Sequence, residues 1–97
     1  MYAVIFRAKI NKVDSRYSEM ASKLRELALS DYGCTEFTSV TENDYEIAIS
    51  YWQDQEQIKS WKQDSVHLVA QQFGRSTWYS SYKVQVVKIL REYSSDS

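Results

Sequence analysis

Apolar and polar positions alternate from Tyr2 to Ile10, with Tyr2, Val4, Phe6, Ala8 and Ile10 on one side and Arg7 and Lys9 on the other. A period of two is that of a half-buried strand, so β1 is predicted there. From Asp14 the period changes. Tyr17, Met20, Ala21, Leu24, Leu27 and Ala28 recur at helical spacing, while Arg16, Glu19, Lys23 and Glu26 turn outward. Asp14 or Ser15 is placed as the N-cap, and Gly33 marks the exit. Residues 35–41 are rich in Thr, Phe and Val but weakly apolar, which predicts a strand with one exposed face or at a sheet edge. After an Asn43-Asp44 turn, Tyr45, Ile47, Ile49 and Tyr51 alternate with Glu46, Ala48 and Ser50. The second face of this strand carries small residues, which leave room for something to lie on them.

Asp54 and Gln57 have capping-box spacing, and Ile58 and Trp61 follow at helical intervals as far as Asp64. Asp64 reads as a second cap, so the helix is predicted to restart there. Val66, Val69, Ala70 and Phe73 form the next stripe, with Gly74 as its stop and Trp78-Tyr79 in a short turn. The last strand is predicted over residues 82–93. Val84 and Val86 lie on one of its faces and Val87 and Ile89 on the other, so neither face is simply solvated and a partner chain is expected to cover one. The tail, residues 94–97, is small and polar and is expected to fray. The order β-α-β-β-α-β is that of a ferredoxin-like α+β fold: an antiparallel sheet with helices on one face. Its other face is left bare, which a second copy of the chain would cover.

With 97 residues and 43% hydrophobic content, the chain fits one domain, expected over residues 1–93. Its eight Tyr and three Trp need more cover than so small a monomer supplies, which again predicts a homodimer. The net charge of −1, with both signs interspersed, provides no basic stripe for phosphates and no polybasic anchor for lipid, so nucleic acid and membrane are not expected partners. The apolar start, residues 3–6, is broken by Arg7 and Lys9 and is too short for a signal segment or a span, so a cytoplasmic protein is expected. Cys34 has no partner for a disulfide and no His/Cys cluster beside it, and is read as a half-buried packing residue.

All three Trp and the single His fall between Ser50 and Tyr82. Ser50-Tyr51-Trp52, Glu56, Ile58, Trp61-Lys62, His67, Ala70-Gln71, Gly74-Arg75, Trp78-Tyr79 and Tyr82 together make the chain resemble the antibiotic biosynthesis monooxygenase family of dimeric α+β barrel proteins. The resemblance covers residues 2–93. It implies two ferredoxin-like subunits packed sheet to sheet, with the C-terminal strand reaching toward the partner. It also implies a cavity between sheet and helices, which in family enzymes oxygenates aromatic, quinol-like substrates without metal or flavin. A haem-degrading branch uses an Asn in the first strand with a Trp and a His on the second helix. Here Trp61 could stand for that Trp, but Gln71 occupies the His position and the first strand has no Asn before Asn11. Neither metal, flavin nor haem is therefore expected as a cofactor.

Oxygenation without a cofactor requires a substrate that can itself give an electron to O₂, a base to ionise it, hydrogen-bond donors and a water-poor pocket. His67 is the candidate catalytic base, because an ordinary imidazole titrates near pH ~6.5. Trp61 and Trp78 are candidate stacking walls for a flat ligand, and Tyr51, Tyr79 and Tyr82 candidate hydrogen-bond donors. Arg75 would meet a substrate anion, or else pair with a carboxylate or cap the helix end. The competing reading makes these aromatics core and His67 a satisfied structural histidine, in a non-catalytic dimer that binds a small ligand or serves in stress or metabolic regulation. A third reading, RNA binding on the same βαββαβ order, lacks the basic-aromatic pattern in β1 and the penultimate strand. No phosphate loop, nucleophile elbow or metal-ligand spacing is present, which sets hydrolase and nucleotide chemistry aside.

Overall fold

The computed structural model describes residues 1–95. Along the chain come β1 (Tyr2–Ile10), α1 (Ser15–Asp31), β2 (Glu36–Glu42), β3 (Tyr45–Trp52), α2 (Gln55–Lys62), α3 (Ser65–Phe73), a π-helical turn (Gly74–Trp78) and β4 (Tyr79–Lys88). The four strands form one antiparallel sheet in the order β2-β3-β1-β4. This is the ferredoxin-like α+β arrangement, with its second helix broken in two.

Caps explain where the helices begin. The Asp14 carboxylate accepts from the Arg16 amide, Asp54 from the Gln57 amide at 2.9 Å, and Asp64 from the Val66 amide at 2.8 Å. Each satisfies a backbone donor that the first turn leaves orphaned. The Gln57 side chain completes the capping-box idea one residue early, accepting from the Gln53 amide rather than from Asp54. Tyr32 closes α1, and Gly33 follows at φ +85, the left-handed conformation that ends helices. Asn43 takes φ 57 in the β2–β3 hairpin, as a tight turn of this hand demands.

Register sorts the side chains. Val4 pairs with Ser50, Phe6 with Ala48 and Ala8 with Glu46, while Phe6 also pairs with Val84, Ala8 with Tyr82, and Phe37 with Ser50. These positions share the face under the helices. There Val4, Ala28, Cys34, Trp52, Ile58 and Trp61 form the core, with Trp52 and Ala28 fully enclosed. The opposite face carries Ala3 and Ile5, Ile47, Ile49 and Tyr51, Val87 and Val40, with Val40 61% and Ile47 38% exposed. An apolar sheet face left open in this way is the bare face that the alternation predicts.

Three sequence expectations are corrected. Gly74 does not stop the chain's helical course: it adopts φ −57 and opens the π turn that runs on to Trp78. The last strand starts three residues earlier than expected and ends at Lys88, because Tyr79 to Tyr82 already pair with β1. Cys34 is buried rather than half-buried, its thiol donating to the Glu36 carbonyl. Of the tail expected to fray, Asp96 and Ser97 lie outside the described residues.

Candidate functional site

Between α1, α3, the π turn and the helix-side face of the sheet lies a cavity of about 380 Å³. Its floor is the helix-side face of the sheet, where Ala48 of β3 and its partner Ser39 of β2 leave space beside Phe6 and Val4. Trp61, Trp78, Tyr82 and Phe37 supply aromatic walls, and Leu24, Met20 and Ala70 come down from the helices. Volume and lining are those of a small-molecule site: mostly apolar, with a few placed polar groups.

The polar groups gather at two ends. At one, the Trp61 ring packs on Trp52 at 5.2 Å and edge-on to Phe37 at 6.0 Å, and its indole N–H donates to the Leu24 carbonyl at 3.1 Å. His67 stands edge-on to Trp61 at 4.5 Å. The Gln71 side-chain amide nitrogen lies 3.1 Å from His67 Nδ1. With the Gln71 amide in this orientation its nitrogen donates and Nδ1 accepts, which assigns the ring proton to Nε2. Burial pushes the His67 pKa down to about 4, because the charged imidazolium loses its water and gains no carboxylate bonded to it. The ring is therefore neutral near pH ~7, and its titration falls below the range expected of an ordinary histidine.

At the other end the Tyr17 hydroxyl makes a short hydrogen bond to Glu46 Oε2. The Tyr79 hydroxyl lies 3.3 Å from that oxygen and 3.3 Å from the Tyr17 hydroxyl. Desolvation pushes both phenols well above their ordinary pKa, and the neighbouring Glu46 carboxylate adds to this, so both stay protonated as donors. Trp78 is stacked on Phe73 at 5.3 Å and meets the Tyr17 ring edge-on at 5.2 Å. Its indole N–H is buried and has no acceptor among the described residues.

Of the sequence candidates, His67, Trp61, Trp78, Tyr79 and Tyr82 come together around this cavity. Tyr51 and Arg75 stand apart from it. Tyr51 pairs with Ala3 and Glu36 and so takes the parity of the bare face, and Arg75 is exposed on the π turn. Tyr17 and Glu46 were not singled out by sequence. Tyr17 sits in the apolar stripe of α1 and Glu46 among the small residues of β3, and only folding across 29 positions brings them into contact. Among the described residues no group of three or more His, Cys, Asp or Glu could hold a metal ion, and no helix is long and apolar enough to cross a membrane.

No family model matches the chain. The uncharacterized protein YqjZ of Bacillus subtilis (strain 168) is 38% identical to it over 92 residues, spanning 94% of this chain and 81% of that one. The chain belongs to the YqjZ family. The fold of this YqjZ-family protein is shared by solved structures at far lower identity. SnoaB, a cofactor-independent oxygenase from Streptomyces nogalater, superposes with a TM-score of 0.77 over 94% of both chains at 11% identity. An antibiotic biosynthesis monooxygenase superposes at 0.73, with 11% identity, over 94% of this chain and 100% of the other. The fold is that of the antibiotic biosynthesis monooxygenases, as the aromatic stretch predicts.

Proposed function

We propose that this YqjZ-family protein is a cofactor-independent monooxygenase acting on a small aromatic or quinol-like metabolite, and that it works as a homodimer. The observation that carries this reading is the cavity: a largely apolar slot of about 380 Å³ walled by Trp61, Trp78 and Tyr82, in the monooxygenase fold. Aromatic walls suit a flat ligand, and dry walls suit a substrate that must be ionised and kept from water. The chemistry needs no bound redox group, because the substrate supplies the electrons. An activated ring methylene first loses a proton to a base, and its enolate gives one electron to O₂. The two radicals combine to a hydroperoxide, which loses water, so that R₂CH₂ + O₂ gives R₂C=O + H₂O. The neutral His67, with its proton on Nε2, can hydrogen-bond the substrate oxygen on which negative charge develops. The bare sheet face, with Ile47, Ile49 and Val87, supports the homodimer.

An oxygen electrode tests the reading. An anthrone-type substrate should be consumed with O₂ well above its spontaneous rate, and a chelator should leave that rate unchanged. Tight binding without oxygen uptake would instead make this a ligand-binding protein that keeps the barrel without the chemistry.

A further inference from the structure

The two polar ends of the cavity differ in what they can do with a proton. His67 shares its Nδ1 with the Gln71 side-chain amide and sits in a buried setting that disfavours its protonated form. Glu46 is different: Tyr17 and Tyr79 both approach Oε2, and no group among the described residues bonds to Oε1. The carboxylate is thus held by two donors on one oxygen while its side chain lines the cavity. The Trp78 ring also lines the cavity, but its indole N–H is buried out of reach of that space and has no acceptor among the described residues. In an aromatic-walled cavity, a phenolic or enolic hydroxyl is the ligand group that can donate to the open carboxylate oxygen and pass it a proton.

We infer that Glu46, positioned by Tyr17 and Tyr79, is the proton acceptor of this cavity and selects ligands that carry a phenolic or enolic hydroxyl. This rests on the aromatic-ligand reading above and names its substrate class more narrowly. The hydroxyl proton, for an anthrone-type substrate that of its enol tautomer, passes to Oε1, leaving a phenolate or enolate and a neutral carboxylic acid, so charge and atoms balance. Tyr17 and Tyr79 act as positioning residues. Burial and the neighbouring carboxylate keep both phenols protonated, so they donate rather than compete for the proton. His67 lies at the far end. Trp61 beside it packs on Phe37, which pairs with Ser50, and Glu46 is four positions along β3 from Ser50, or about 13 Å at the rise of a strand. A cavity of about 380 Å³ takes two or three fused rings, with the ionising hydroxyl at Glu46 and the rest of the ring system directed toward Trp61 and His67.

The test is a binding panel read by tryptophan fluorescence, since Trp61 and Trp78 line the cavity. Hydroxyanthracene, its methyl ether and unsubstituted anthracene are titrated into the wild type, Glu46→Gln and Glu46→Asp. The hydroxyl compound should bind wild type about 10-fold or more tightly than the ether, as a charge-assisted hydrogen bond allows. Glu46→Gln should reduce that preference to about threefold or less, Glu46→Asp should fall between, and the ether and parent should bind all three proteins alike. Turnover of the anthrone-type substrate should fall about 10²- to 10⁴-fold in Glu46→Gln, the usual loss of a general base. Equal binding of all three compounds by wild type, or a preference that survives Glu46→Gln, would overturn the Glu46 assignment and leave the aromatic cavity standing. Failure of wild type to bind any of them would overturn both. Where Glu46→Gln does not fold, the loss of preference in Glu46→Asp carries the assignment.

Discussion

His67 is the residue whose environment most changes what its side chain can do. Sequence alone marks it as a base near neutrality, because an isolated imidazole titrates there. Packing against Trp61 and the bond from Gln71 instead bury it neutral, with a pKa near 4 against the ordinary 6.5. The consequence for stability has a definite sign. The unfolded chain takes up the His67 proton first as pH falls, so stability is complete above pH ~6.5 and declines through the window down to pH ~4, where it levels off. The shift corresponds to a loss of up to about 3 kcal/mol over that window. Urea midpoints between about pH 7 and pH 4 should therefore fall more steeply for wild type than for His67→Leu. Parallel declines would show that the ring is hydrated and not buried. Glu46 and Tyr17 were out of reach of any such single-residue reading. Each looks ordinary in its own element, a solvated strand acid and an apolar helix position, and their chemistry exists only as a pair.

Elements were legible wherever one physical signal dominated. The alternation of β1, the stripe of α1, and the caps at Asp14, Asp54 and Asp64 all appear as the sequence predicts. The strand parity of β3 also held the answer for Tyr51. Tyr45, Ile47, Ile49 and Tyr51 share one side, so a cavity resting on Ala48 excludes Tyr51. The π turn had no such signal, because glycine is compatible both with a stop and with a helical continuation. At Gly74 a Cβ would come within 3.1 Å of the Tyr79 ring, so close ring packing, and not a turn, explains the glycine. Gly33 is the opposite case. Its φ of +85 is left-handed, and a Cβ there would run into the Gln57 side-chain amide that caps α2. Gly33→Ala should cost about 1–2 kcal/mol in urea unfolding, and Gly33→Asn less, since Asn tolerates that conformation better. An alanine variant as stable as wild type would mean that the junction between α1 and β2 can rearrange freely.

At the scale of the molecule, one sheet face covers the core and the cavity, while the other carries Ile47, Ile49, Val87 and Val40 without cover. If that face joins two copies, Ile47→Lys or Val87→Lys would bury an unpaired charge and should shift sedimentation from dimer toward monomer at micromolar concentration. Wild type that sediments as a monomer, or variants that stay fully dimeric, would remove the sheet face from the interface. Fold and aromatic walls were readable because hydrophobic periodicity and the Trp–Tyr spacing survive as sequence patterns, whereas the carboxylate end of the cavity depends on contacts between elements far apart in the chain. If the cavity moves an oxygen atom from O₂ into an aromatic substrate using the substrate's own electrons, as proposed, that atom must come from dioxygen and not from water. Turnover of an anthrone-type substrate under isotopically labelled dioxygen, with the quinone product weighed by mass spectrometry, tests this most directly. One labelled oxygen atom per product molecule is the result predicted. A product carrying no label, or no product beyond the spontaneous background, would contradict it.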